Sequence, residues 1–282
     1  MAVQFHIVYL SPNGSTGKVA KAFAEQFAGA DASVTLWNLA AEADIQSLFR
    51  QLETGGKVCL LIGSPVYRDL AIPPVMSLID QLPPCGGGWA VPFVTYGRAC
   101  SGVALWQMAG ALEAKGYPIA GAAKIVALHS MMWTAEQPEG EGHPDAADLE
   151  QVCRLATHLM RCLDADTCKP LSLETLDYQP EERAREFKAK IDKPWAIVPK
   201  TVDGDACTEC GTCATECPVG AIDLNPQPVF GDTCFDCFTC IRTCPESAIS
   251  PAMPLEKIAV KIRERVQAIN EQPLTEIFSA GL

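Results

Sequence analysis

Eight of the fourteen cysteines fall between Cys207 and Cys244. They form two runs, CTECGTCATECPVGAI (207–222) and CFDCFTCIRTCPESAI (234–249), offset by 27 residues and identical at 8 of 16 positions. Each run reads C-x2-C-x2-C-x3-C-P. Three thiolates spaced two residues apart can wrap one tight loop around a metal centre. A four-ligand zinc site needs only two C-x2-C pairs, so a doubled run of four points to iron–sulfur clusters. The other cysteines, Cys59, Cys85, Cys100, Cys153, Cys162 and Cys168, are scattered. A reduced chain with one dense metal-binding region accounts for both facts.

A second constellation lies near the start, where YLSPNGSTGK (9–18) follows an apolar run. It invites comparison with the triphosphate-binding pattern G-x-x-x-x-G-K-[ST]. Gly17 and Lys18 fit its end, but the first glycine would fall at Pro12 and the final hydroxyl at Val19. A triphosphate cradle is therefore set aside. The turn remains either a helix cap or a cradle for a smaller anion. No G-x-G-x-x-G occurs anywhere, so no NAD(P)H site is visible.

Residues 1–165 must supply the elements that hold this turn. Apolar runs at 3–10, 33–39, 57–65, 89–97 and 121–130 read as strands. Between and after them, 16–28, 44–53, 73–82, 101–115 and 144–163 read as helices. Pro73 and Pro74 open one, Ser101 is placed to cap another, and Asp145 and Asp148 favour the start of the last. Five strands alternating with helices predict a doubly wound parallel sheet covered on both faces. Ligands on such sheets bind outside the carboxyl ends of the strands. The loops there are 11–16, 64–70 and 96–101.

These loops resemble those of the flavodoxin family. Ser11, Gly14 and Thr16 match its phosphate loop, while Asn13 and Ser15 depart from it with small hydrogen-bonding side chains. GSPVYRDLAIPP (63–74) is similar to the second loop, with Pro65, Val66 and Tyr67 against the ring system. TYGRACSG (95–102) is similar to the third, with Thr95, Tyr96, Gly97 and Arg98 near the ring edge. The resemblance implies a flavodoxin-like α/β fold and bound FMN. His129, Cys100 and Trp133 stand close to these loops. Each is read either as a ring neighbour or as an ordinary core or loop residue.

Residues 200–253 resemble bacterial-type two-cluster ferredoxins, whose fourth cysteine in each run reaches across to the other cluster. This implies one 4Fe–4S cluster on Cys207, Cys210, Cys213 and Cys244, and a second on Cys234, Cys237, Cys240 and Cys217. Phe230, Phe235 and Phe238 either shield these clusters or form the module's small core. The whole chain therefore resembles a flavodoxin–ferredoxin fusion: 1–165 for FMN, 166–199 a partly helical linker, 200–254 a small α+β cluster domain, and 255–282 a helix and tail. In that helix Leu255, Ile258, Ile262, Val266 and Ile269 make an apolar stripe expected to dock back onto the protein.

Charge narrows the partners. Thirty-four acidic residues against 22 basic ones give a net charge of −12. That argues against a nucleic-acid backbone and favours a redox partner with a basic docking patch. No apolar run is long enough for a membrane span, and the N-terminus lacks signal-peptide character, so the expected location is cytoplasmic. The expected function is electron relay between FMN, two 4Fe–4S clusters and a partner protein. The alternative is an FMN-dependent reductase of a small molecule fed through the clusters. No acid–base constellation stands out to favour the enzyme.

Overall fold

The computed structural model describes residues 2–40, 44–53 and 56–281. Its first part runs β1 (Gln4–Tyr9), α1 (Ser15–Ala28), β2 (Ser33–Asn38), α2 (Ile45–Glu53), β3 (Val58–Tyr67), β4 (Leu70–Ala71), α3 (Pro73–Gln81), β5 (Trp89–Tyr96), α4 (Ala104–Ala114), β6 (Ala122–Val126) and α5 (Ala146–Asp164). The parallel strands lie side by side as β2-β1-β3-β5-β6. Counted among themselves this is the order 2-1-3-4-5, that of a flavodoxin-like doubly wound sheet.

Strand periodicity explains the two-sided core. Side chains alternate across a strand. Phe5, Ile7 and Tyr9 of β1 and Leu61 of β3 therefore face α1 and α5, where they meet Val19, Phe23, Phe27, Leu155 and Leu159. Val8, Leu60 and Ile62 face the opposite layer with Leu48, Val75, Leu105 and Met108. Each buried Leu or Ile contributes about 1.5–3 kcal/mol, so the central strands dominate stability.

The remaining elements are α6 (Leu173–Leu176), α7 (Glu181–Lys188), β7 (Lys200–Val202), α8 (Thr212–Thr215), β8 (Ile222–Asn225), β9 (Gln227–Phe230), α9 (Thr239–Thr243), β10 (Ile249–Pro251), α10 (Leu255–Ile269) and β11 (Glu276–Phe278). The cysteine repeat is a structural repeat. α8 and α9 begin at equivalent positions of the two runs, as do β8 and β10. β7 pairs antiparallel with β10, and β8 with β9. No described helix is long and apolar enough to cross a membrane.

Three local expectations need correction. Ser101 does not cap α4, whose N-cap is Val103; it is engaged instead by the buried carboxylate of Glu271. The fifth parallel strand stops at Val126, because the chain turns there to hydrogen-bond His143 and Glu139. The tail is more than a helix. β11 pairs antiparallel with β6 along the sheet edge, with Glu276 opposite Lys124. Lys124, buried at the centre of β6, pairs with Glu271 at 3.0 Å and Glu276 at 3.3 Å.

Candidate functional site

The loop between β1 and α1 is built by its small residues. Gly14 is the N-cap of α1 with φ +89°, a left-handed conformation that glycine adopts freely. Ser11 Oγ accepts from Gly17 N–H at 2.8 Å, and Thr16 Oγ1 pairs with Thr95 Oγ1 at 2.7 Å. The helix has no side-chain cap hydrogen bond. Its N-terminus is thus framed by hydroxyls and backbone, as an anion site requires. Asn13 Nδ2 donates to Leu128 O, tying this loop to the chain after β6.

The loops converge on a cavity of about 320 Å³, within the roughly 300–1,000 Å³ usual for small-molecule sites. Asn13, Ser15, Pro65, Val66, Tyr67, Thr95, Tyr96 and Gly97 line it. Ser11, Gly14, Thr16 and Arg98 are not among its lining residues, and Arg98 pairs with Glu139 at 2.8 Å. Tyr67 has a buried hydroxyl with no hydrogen-bond partner, Ser130 lying near but out of bonding geometry. Tyr96 OH donates to Leu274 O. A Cβ on Gly97 would come within 2.6–2.7 Å of His129, so only glycine lets these two loops close together. A polar loop at a helix N-terminus beside an aromatic-lined cavity fits a phosphorylated aromatic cofactor.

His129 and Cys100 also line this cavity, but Trp133 does not; it packs against the core of the cysteine module. Burial pushes His129 down to about 4, which keeps the imidazole neutral, and its Nδ1 accepts from Met131 N–H. Burial, then the neighbouring Glu271 carboxylate, push the Cys100 thiol up to about 12, so it is no nucleophile near neutrality.

The eight cysteines are gathered four by four. Cys207, Cys210, Cys213 and Cys244 line one cavity. Cys217, Cys234, Cys237 and Cys240 line another, together with Phe230, Phe235 and Phe238. Each set takes three thiols from one run and the last thiol of the other. Such a donor set fits two thiolate-bound iron–sulfur clusters. The sets differ in setting: Cys210 is exposed and held low by hydrogen bonds from Thr212, whereas burial raises the Cys240 thiol to about 12.

Sequence reasoning missed how the two parts meet. Phe235, Asp236 and Val198 line the cavity among the loops, as do Ile262 and Arg265 of α10. Phe235 stacks on Tyr67, ring centroids 6.0 Å apart and 26° between planes. Thr239 and Arg242 of α9 both donate to Pro12 O, at 3.4 and 2.7 Å. Asp236 accepts from Val198 N–H and, at 2.8 Å, from Lys200 Nζ. That ion pair is almost wholly buried, and Lys200 Nζ also lies 3.4 Å from Cys234 Sγ. Burial alone would lower Lys200, but Asp236 and Cys234 outweigh it and hold the ammonium charged. The apolar stripe of 255–269 signalled Ile262, while nothing in the sequence singled out Asp236.

Residues 200–263 match the family model of the 4Fe-4S dicluster domain. No curated protein matches the chain. Among solved structures, a flavodoxin from the domain Archaea shares 18% identity, covering 57% of this chain and 99% of its own, with a TM-score of 0.42. Flavodoxin 1 from Bacillus cereus shares 15%, covering 56% and 97%, at 0.43. The rubredoxin oxygen:oxidoreductase of the anaerobe Desulfovibrio gigas shares 23% over 57% of this chain at 0.45, and this chain spans only 36% of that one. The fold itself is given by the strand order, 2-1-3-4-5.

Proposed function

We propose that the protein is an electron-transfer flavo-iron-sulfur protein, carrying FMN in residues 1–165 and two 4Fe–4S clusters in residues 200–254. On this reading 166–199 is a linker and 255–282 a helix and tail that close over both parts. FMN would be held by the 11–16 loop at its phosphate, by Pro65, Val66 and Tyr67, and by Thr95, Tyr96 and Gly97 at the ring. One cluster would be held by Cys207, Cys210, Cys213 and Cys244, the other by Cys217, Cys234, Cys237 and Cys240. When bound, FMN takes electrons singly or in pairs and each cluster passes one.

One observation carries this reading: Phe235 belongs both to the cavity among the flavodoxin-like loops and to a four-cysteine cavity. Two redox groups held that close have a short path between them. Of the titratable groups that line the loop cavity, His129 is held neutral, Cys100 is protonated, and Asp69 and Asp236 are engaged in ion pairs with Lys190, Arg265 and Lys200. This favours a carrier over a reductase of a small molecule. The acidic surplus favours a basic redox partner and a cytoplasmic setting suits the free thiols.

The test is anaerobic rapid mixing, followed at flavin and iron–sulfur wavelengths. A reduced bacterial-type ferredoxin is expected to reduce the protein quickly, and more slowly as salt rises. NADH or NADPH alone is expected not to. Fast bleaching by NADPH without a partner would replace the carrier with an enzyme.

A further inference from the structure

The two four-cysteine cavities come from a repeat, yet of the two only one shares a lining residue, Phe235, with the cavity among the sheet loops. We propose that the centre on Cys217, Cys234, Cys237 and Cys240 is the relay to the flavin, with Phe235 and Tyr67 as the coupling contact. The centre on Cys207, Cys210, Cys213 and Cys244 is the port that exchanges electrons with the outside. The proposal rests on the reading of the loop cavity as an FMN site.

The lining of the port cavity runs within residues 207–249 and has no residue in common with the loop cavity. The relay cavity shares Phe235 with the loop cavity, and the next residue, Asp236, lines the loop cavity as well. Phe235 and Cys237 are buried in the same apolar cluster as Leu60, Ile62 and Val94 of the sheet. The Tyr67–Phe235 stack spans the junction, and α9 is fixed to the phosphate loop by the two bonds onto Pro12. At the other end Cys210 is exposed, as are its neighbours Thr208 and Glu209. Leu224, which also lines the port cavity, is an exposed large apolar residue. The loop cavity is lined by Ile262 and Arg265 of α10 and by Phe235. Cys210 thus gives an outside molecule direct approach to the port thiols, whereas Cys237 and Cys240 of the relay set are buried.

The step is a one-electron transfer with no covalent bond formed or broken. What the relay centre loses the flavin gains, and the reverse on oxidation. The probe is hexaammineruthenium(III), which takes up one electron per ion to become ruthenium(II). The holoprotein, reduced with dithionite under argon and freed of excess reductant, is mixed with it. Iron–sulfur absorbance is expected to recover first, at a rate proportional to oxidant. Flavin absorbance is expected to follow in a phase independent of oxidant concentration. Phe235→Leu, which keeps the apolar volume, is expected to slow only the second phase several-fold while iron and flavin content hold. Charge reversal far from both ends, Glu25→Lys with Glu113→Lys, is expected to change neither phase. Flavin recovery proportional to oxidant and indifferent to Phe235→Leu would overturn the proposed polarity. Absence of extractable flavin would overturn the cavity reading beneath it, a distinct outcome.

Discussion

The two cysteine runs share a spacing and differ in what surrounds it. Both loops need left-handed backbone at the same two places. The first run meets that need with Glu209 (φ 57°) and Gly211 (φ 75°), the second with Asp236 (φ 62°) and Phe238 (φ 59°). Glu209 is exposed and Gly211 has no side chain to pack. Asp236 is buried against Lys200 and Val198, and Phe238 is fully buried beside its cysteines. A bulky residue with positive φ costs about 1–2 kcal/mol, so Phe238 retains a strained backbone while covering its centre. With the same cysteine spacing, the residues between the cysteines differ in burial: Thr208 and Glu209 of the first run are exposed, whereas Phe235, Asp236 and Phe238 of the second are buried.

That contrast can be broken most severely at the repeat-equivalent acids. Asp236→Ala leaves the Lys200 ammonium buried without its partner, and is expected to cost about 3–5 kcal/mol. Glu209→Ala, on the exposed equivalent, is expected to stay within about 0.5 kcal/mol. Chemical denaturation of both holoproteins checks this; equal losses would mean that the two settings do not differ as described.

A smaller effect is expected at the neighbouring pair. Gly211→Ala forces a Cβ into a left-handed position and is expected to destabilise by about 1–2 kcal/mol. Phe238→Gly relieves the same strain but removes a buried ring worth about 3–5 kcal/mol, so a net loss of about 2–3 kcal/mol is expected together with faster loss of iron to a chelator. The readouts are thermal midpoint and iron release; iron release unchanged by Phe238→Gly would deny the ring a shielding role.

A pH-dependent effect lies outside both runs and sets a baseline for them. His129 titrates near 4 in the fold against 6.5 for a free imidazole. Between those values the unfolded chain binds the proton that the folded chain does not. Stability should therefore decline as pH falls from about 6.5 towards 4. His129→Gln is expected to flatten part of that decline in urea midpoints measured by circular dichroism. An unchanged slope would mean that His129 is as solvated folded as unfolded.

Much of this was legible in the sequence. The alternation of apolar runs gave the order of strands and helices, because a parallel sheet buried on both faces leaves nearly continuous apolar strands such as 57–65. The cysteine spacing accounts for three thiols of each set, because thiols two residues apart share one loop, while the crossed fourth was implied by the resemblance to two-cluster ferredoxins. What stayed hidden was long-range. β11 has only three residues, too few for a periodic signal, and its register depends on Lys124, about 150 positions away. Ser101 read as a cap because its local sequence suits one, whereas its actual partner, Glu271, lies in the tail. The Tyr67–Phe235 contact joins two motifs that were each legible and whose meeting was not.

The central claim is that one chain holds a flavin and two iron–sulfur clusters. The direct measurement is the cofactor content of protein purified without oxygen. Iron, acid-labile sulfide and zinc are assayed, and the flavin released on denaturation is identified by chromatography. The account requires one FMN and about eight iron with about eight sulfide per chain, as two four-iron clusters demand. Zinc in place of iron, release of FAD, or no flavin even after reconstitution with FMN would contradict it.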